Sequence, residues 1–190
     1  MIETNHRYRE GVIHGRFQVL HNDHLKYLLA GQALCRHLVV GITNPDPSLI
    51  KDEPADPHRS GLDANPLTYL ERYRLVWAAL TEAGYGLNDL SVVPFPISSP
   101  ENYKYYVPME AVFFLSIYDD WGRQKKKYFE SLGLNVHVLR EVGPEEKGIS
   151  SNEVRRRMAG GLPWEHLVPR AVALLLNEWE IPHRLRSMQS

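Results

Sequence analysis

The sequence predicts an α/β fold, with a five-stranded parallel sheet covered by helices on both faces and further helices at the C-terminus. Three observations predict it. Five short apolar runs have strand length, helical patterns fall between most of them, and a strand-to-helix junction carries two histidines three residues apart.

The strands are expected at 11–17 (GVIHGRF), 37–43 (HLVVGIT), 90–96 (LSVVPFP), 111–117 (AVFFLSI) and 134–140 (LNVHVLR). Their near-continuous apolar character suits strands buried on both faces. Helical spacing covers 23–35, 66–83 and 121–132, while 100–108 reads as a short helix or an irregular crossover. After the loop EVGPEEKG, helices are expected over 151–159, capped by Ser151 or Asn152, and over 164–179, with Pro163 at its start. The stretch 44–65 is rich in Pro, Asp and Gly and lacks periodicity. It follows the second strand, where open α/β sheets bind ligands, so a substrate lid and a plain surface insertion are both consistent with it.

At 190 residues the chain is expected to form a single domain, 1–190, with 43% hydrophobic and 24% charged residues. A formal net charge of -1 argues against a general nucleic-acid binder. Cys35 is the single cysteine, which excludes an intrachain disulfide and suits a reducing cytoplasm. No apolar run approaches the roughly 20 residues that span a bilayer, so no membrane partner is expected.

The chemistry concentrates at three places. In GRFQVLHNDHL, Gly15, Arg16 and Phe17 end the first strand, and His21 and His24 open the following helix. A helix N-terminus exposes N–H groups and a partial positive charge, so it attracts phosphate. An isolated H-x-x-H pair reads most simply as a turn cap and an exposed helix residue; the strand and GRFQ before it change that reading. In KGISSNEVRRRM, Ser150 and Ser151 add donors at a helix start, and Arg155 lies on its first turn. In NPLTYLERYRLVWAAL, Asn65 or Thr68 can cap an amphipathic helix from which Arg72 could reach an anion.

Together these segments resemble the nucleotidyltransferase superfamily marked by H-x-G-H and I-S-S-T-x-x-R motifs. NPLTYLER and RRRMAGGLPWEHLVPRAV are most similar to the archaeal-type nicotinamide mononucleotide (NMN) adenylyltransferases. The resemblance implies a Rossmann-like nucleotidyltransferase fold and transfer of AMP from ATP to NMN or a related phosphomonoester. Pyrophosphate is released, in NAD biosynthesis. It implies His21, His24, Arg16 and Arg155 as the catalytic set, with Gly15, Phe17, Ser150 and Ser151 also binding nucleotide. Magnesium (Mg2+) would arrive with ATP, with no metal-ligand cluster of the protein's own. Arg72 matches a family arginine for phosphate, and Asn102, Tyr103 and Trp121 are candidates for the acceptor pocket, although each reads more simply as a core or interface residue. Members of this family often form homo-oligomers, but no motif here fixes a number.

The chain departs from the family at Asp23 for the glycine of H-x-G-H, Val19 for a proline, and Asn152 for the threonine of the second motif. DDWGRQKKKYF replaces a small Gly-Asn turn, and its RQKKK run reads as a solvated helix face or a larger anion's contact. Two other functions therefore stand beside the first. One is a cytidylyltransferase acting on a small phosphorylated or phosphonate acceptor, since EKGISS is similar to the signature of such enzymes. The other, motivated by Asp23, is a catalytically weak nucleotide sensor.

Overall fold

A computed structural model describes residues 6–46, 64–146 and 148–188. The strands are β1 (Tyr8–Gly15), β2 (Cys35–Thr43), β3 (Leu90–Phe95), β4 (Val112–Ile117) and β5 (Asn135–Glu141). The helices are α1 (Asn22–Gln32), α2 (Tyr69–Glu82), α3 (Asp120–Ser131), α4 (Ser151–Ala159), α5 (Arg170–Glu178) and α6 (Ile181–Ser187). All strand pairs are parallel and the spatial order is β3-β2-β1-β4-β5. The expected α/β fold is the observed one.

Alternation along the strands divides the core in two. Ile13, Val40 and Ile42 point to one face, where Leu28 of α1, Leu75 of α2, Val154 of α4 and Leu176 of α5 cover them. Val12, Val39 and Phe113 point to the other, under Phe129 of α3 and Tyr103 of a short 3-10 turn, Pro100–Tyr105. No described helix is long and apolar enough to cross a membrane.

Element ends differ from expectation for local reasons. The helix expected from 66 begins at Tyr69, because Thr68 and Glu71 form a reciprocal capping box: Thr68 Oγ1 accepts the Glu71 N–H at 3.2 Å, and Glu71 Oε2 accepts the Thr68 N–H at 2.8 Å. Arg184 of α6 donates to the same carboxylate at 2.7 and 3.0 Å, fastening α6 to α2. The single helix expected over 164–179 is a 3-10 turn, Glu165–Leu167, followed by α5 with Pro169 at its N-cap. Proline has no N–H to continue a helix through that point. Most of the stretch 44–65, namely 47–63, lies outside the described residues.

The sheet also opens a crevice. β1 pairs with β2 as far as Gly15 opposite Ile42, but with β4 only at Gly11–Val112 and Val12–Phe113. Beyond that point β1 and β4 part at their carboxyl ends. The chain winds away in opposite directions there, which is where open parallel sheets hold ligands.

Candidate active site

The crevice between β1 and β4 holds a cleft of about 400 Å³. One wall is the end of β1, from His14 to Phe17, and the start of α1, with His21, Asp23 and His24. The start of α4 supplies Ser150, Ser151 and Arg155, and α3 supplies Trp121 and Lys125. Gly15, Arg16, Phe17, His21, His24, Ser150, Ser151, Arg155 and Trp121 are therefore brought together as the sequence motifs suggest.

The GRF segment is shaped by close packing. Phe17 is buried with a left-handed backbone, φ 52°, and its ring lies over Gly15, where a Cβ would come within 2.8 Å of it. Any side chain at 15 would displace that ring. The Phe17 ring in turn meets the His24 ring edge-on, with centroids 5.2 Å apart.

His21 is the N-cap of α1, its Nδ1 accepting the His24 N–H at 3.3 Å. A neutral imidazole accepting at Nδ1 carries its proton on Nε2, which is left as a donor. The two rings stack with centroids 3.6 Å apart and an interplanar angle of 20°. Burial lowers His21 to about 4, with Asp23 opposing the shift. Burial first and the adjoining His21 second hold His24 well below 6.5. Both are neutral near pH 7, so their contribution to an anion is hydrogen bonding rather than charge.

Three contacts tie α4 to the first motif. Ser151 Oγ donates to the Val19 carbonyl at 2.8 Å, Arg155 Nη1 donates to the Gln18 carbonyl, and Asp23 Oδ2 accepts the Ile149 N–H at 2.8 Å. Asp23 thus replaces the family's glycine with a strut between the motifs. Burial alone would raise its carboxyl, but hydrogen bonds from Lys26 and Ile149 outweigh this and hold it below the ordinary value. Ser150 caps α4 by accepting the Glu153 N–H at 3.1 Å. The N-termini of α1 and α4 face one cleft, two electropositive ends suited to a polyphosphate. Among the described residues no group of three or more His, Cys, Asp or Glu could hold a metal ion.

Three acceptor candidates lie elsewhere. Arg72 is buried and largely committed: four of its five N–H groups donate to the carbonyls of Arg16 (3.0 Å), Thr43 (2.7 Å), Asn44 (2.7 Å) and Thr68 (3.3 Å). It braces the loops after β1 and β2 instead of facing a ligand. Burial lowers it to about 10, so it remains charged at pH 7. Tyr103 is a core residue whose hydroxyl donates to the Ile97 carbonyl at 2.7 Å, and its neighbour Asn102 in the 3-10 turn does not line the cleft. Sequence reasoning missed His14 as a cleft residue, although a histidine inside the apolar run GVIHG was a visible signal. Lys125 was legible only as part of RQKKK.

No protein-family model matches the chain. It is 51% identical over 177 residues to a phosphonoformate cytidylyltransferase of Streptomyces viridochromogenes, covering 93% of this chain and 95% of that one. The chain is a nucleotidyltransferase. The enzyme is also 30% identical over 181 residues to a nicotinamide-nucleotide adenylyltransferase of Ignicoccus hospitalis, covering 92% of this chain and 94% of that one. A similar relative in Thermococcus onnurineus is 26% identical over 192 residues, covering 95% and 88%. In fold, the nucleotidyltransferase is similar to a bifunctional NMN adenylyltransferase/ADP ribose pyrophosphatase from Francisella tularensis, solved with AMP and manganese (TM-score 0.61, 12% identity). That match covers 96% of this chain and 56% of the other.

Proposed function

We propose that this nucleotidyltransferase moves CMP from CTP to a small carboxylated phosphonate, phosphonoformate or a near relative, releasing pyrophosphate. The observation that carries this is the 51% identity to a phosphonoformate cytidylyltransferase over nearly the whole of both chains, against 26% and 30% for the adenylyltransferases above. The cytidylyl alternative raised by EKGISS is therefore preferred to transfer of AMP to NMN. The loss of Asn102 and Tyr103 from the cleft also weakens the case for a nicotinamide pocket built on them.

The reaction follows from holding two anions in line. A phosphonate oxygen, already ionised near neutral pH, forms a bond to the α-phosphorus while the bond from that phosphorus to the bridging oxygen breaks. No enzyme nucleophile is required. His21 and His24 donate to oxygens of the transferring group, and their neutrality avoids the desolvation cost of buried cations. Arg155 and the α4 N-terminus take the leaving pyrophosphate, whose negative charge grows as the bond breaks. Arg16, which lines the cleft at the end of β1, is assigned to the acceptor's phosphonate. A magnesium ion arriving with the nucleotide would neutralise charge on the triphosphate. No group of three or more His, Cys, Asp or Glu among the described residues would hold it, which suits an ion that keeps most of its water and substrate ligands.

The test is pyrophosphate release with magnesium, with CTP or ATP paired in turn with phosphonoformate, methylphosphonate and NMN. Release with CTP and phosphonoformate is expected. Release only with ATP and NMN, or tight nucleotide binding with no release from any pair, overturns the reading.

A further inference from the structure

His14 is an unusual occupant of its position. It lies in β1, 5% exposed, between the rings of Phe95 and Phe129 at 5.5 and 5.3 Å. Neither ring nitrogen has a hydrogen-bond partner among the described residues, yet the side chain lines the cleft. An unsatisfied buried polar group costs roughly 1–3 kcal/mol. Valine or leucine would fill a strand position between two phenylalanines without that cost, so the histidine points to a ligand that supplies the missing partner.

Lys125 of α3 lines the same cleft, with its ammonium 4.8 Å from the centroid of the Trp121 ring. Burial first and the charge of Lys125 second hold His14 well below 6.5, so the imidazole is neutral beside a cation. A neutral N–H donor next to an ammonium is a complementary pair for one small anion.

The direction of the reaction says which anion. The pyrophosphate leaves towards α4, so an in-line acceptor approaches from the opposite side, along β1 and α3. We propose that His14 and Lys125 form a subsite for the carboxylate of the acceptor, while its phosphonate lies beside Arg16. This rests on the acceptor class proposed above. It makes His14 and Lys125 specificity residues: they select an acceptor whose carboxylate is bonded directly to phosphorus over one that presents phosphate or phosphonate alone.

Calorimetric titration reads the subsite without turnover. Phosphonoformate and methylphosphonate are each titrated into the protein with magnesium and a methylene-bridged analogue of CTP, and separately of ATP. The wild type is expected to prefer phosphonoformate roughly 100-fold, and Lys125→Met and His14→Leu each to reduce that preference about tenfold, the scale of one hydrogen bond to a charged group. Lys125→Arg retains most of it. Lys125 is on a partly exposed helix face, so its variants remain informative if His14→Leu fails to fold. Equal affinity for the two acceptors in the wild type, or an undiminished preference in Lys125→Met, overturns the subsite. Pyrophosphate release is scored separately: its absence with the binding preference intact overturns the functional reading and leaves the subsite standing.

Discussion

Asp23 accepts the backbone N–H of Ile149 at 2.8 Å, joining the start of α1 to the loop before α4 across 126 residues of chain. The family's glycine could make no such contact. Its second oxygen pairs with Lys26 at 2.8 Å, but Lys26 is 78% exposed and that pair contributes little. The consequence is that Asp23 adds a third tie between the phosphate-facing helix ends, beside those of Ser151 and Arg155 to the backbone before α1.

Asp23→Gly is therefore expected to impair the enzyme, not to restore a family-like optimum. A hydrogen bond to a charged group is worth roughly 1.5–3 kcal/mol, so kcat/KM for nucleotide should fall by about 10-fold or more. Steady-state pyrophosphate release measures it. A wild-type or higher value would mean that the strut is dispensable.

Gly148 is the other side of the same contact. Its φ is +74°, and a Cβ there would come within 2.4 Å of Asp23 Oδ2. Gly148→Ala thus carries two separable costs, about 1 kcal/mol for the left-handed backbone and a steric cost for the overlap. Denaturant melts should show the larger loss in Gly148→Ala alone. In the Asp23→Gly background only the backbone cost should remain. Equal losses in both backgrounds would remove the contact from the explanation.

Much of this was legible in sequence because it depends on local pattern. Apolar strand runs and helical spacing fix an α/β sheet, and HNDH with ISSNEVR places two helix N-termini beside each other. Long-range polar commitments were not legible. Arg72 has the same residue type and neighbourhood whether it meets a phosphate or four carbonyls; only the packing of the loops after β1 and β2 decides it. Tyr103 likewise reads as an available aromatic until the 3-10 turn folds it over Phe95, with centroids 4.5 Å apart. His14 gains meaning only once β1 and β4 part beside it.

Arg72→Ala should consequently be a stability variant. It leaves the buried carbonyl of Thr43 and the part-buried carbonyl of Arg16 without their donor, at a cost of about 3 kcal/mol. For a chain of this size that lowers Tm by roughly 6–12 °C. Thermal melting with and without saturating CTP checks it. An unchanged Tm with a raised acceptor KM would return Arg72 to substrate binding.

Acid should destabilise the fold well above the carboxylate range. His21 is lowered to about 4, and His14 and His24 lie well below 6.5. Between about pH 6.5 and 4 the unfolded chain binds protons that the folded chain does not, so stability falls as pH falls through that window. The slope is at most about 1.4 kcal/mol per pH unit for each histidine. Asp23 and Glu71, whose values are depressed, lose their contributions only at lower pH. Melts at pH 7, 6 and 5 should show a declining Tm, with a shallower decline in His14→Leu. A flat Tm across that range would contradict the neutral, buried state of these rings.

His24 offers the sharpest test of the transfer step. Its ring stacks on His21 and is braced by Phe17, so its position is set before substrate arrives. A preorganised donor acts on charge that develops in the transition state and adds little to ground-state binding. His24→Ala should lower kcat by about 100-fold or more, while the affinity for CTP measured by titration changes by only a few fold. A loss of equal size in both would make His24 a nucleotide-binding residue, and an unchanged kcat would remove it from the reaction. Because His21 caps α1 by accepting the N–H of residue 24, which alanine retains, the helix start survives the substitution and the comparison reads the imidazole alone.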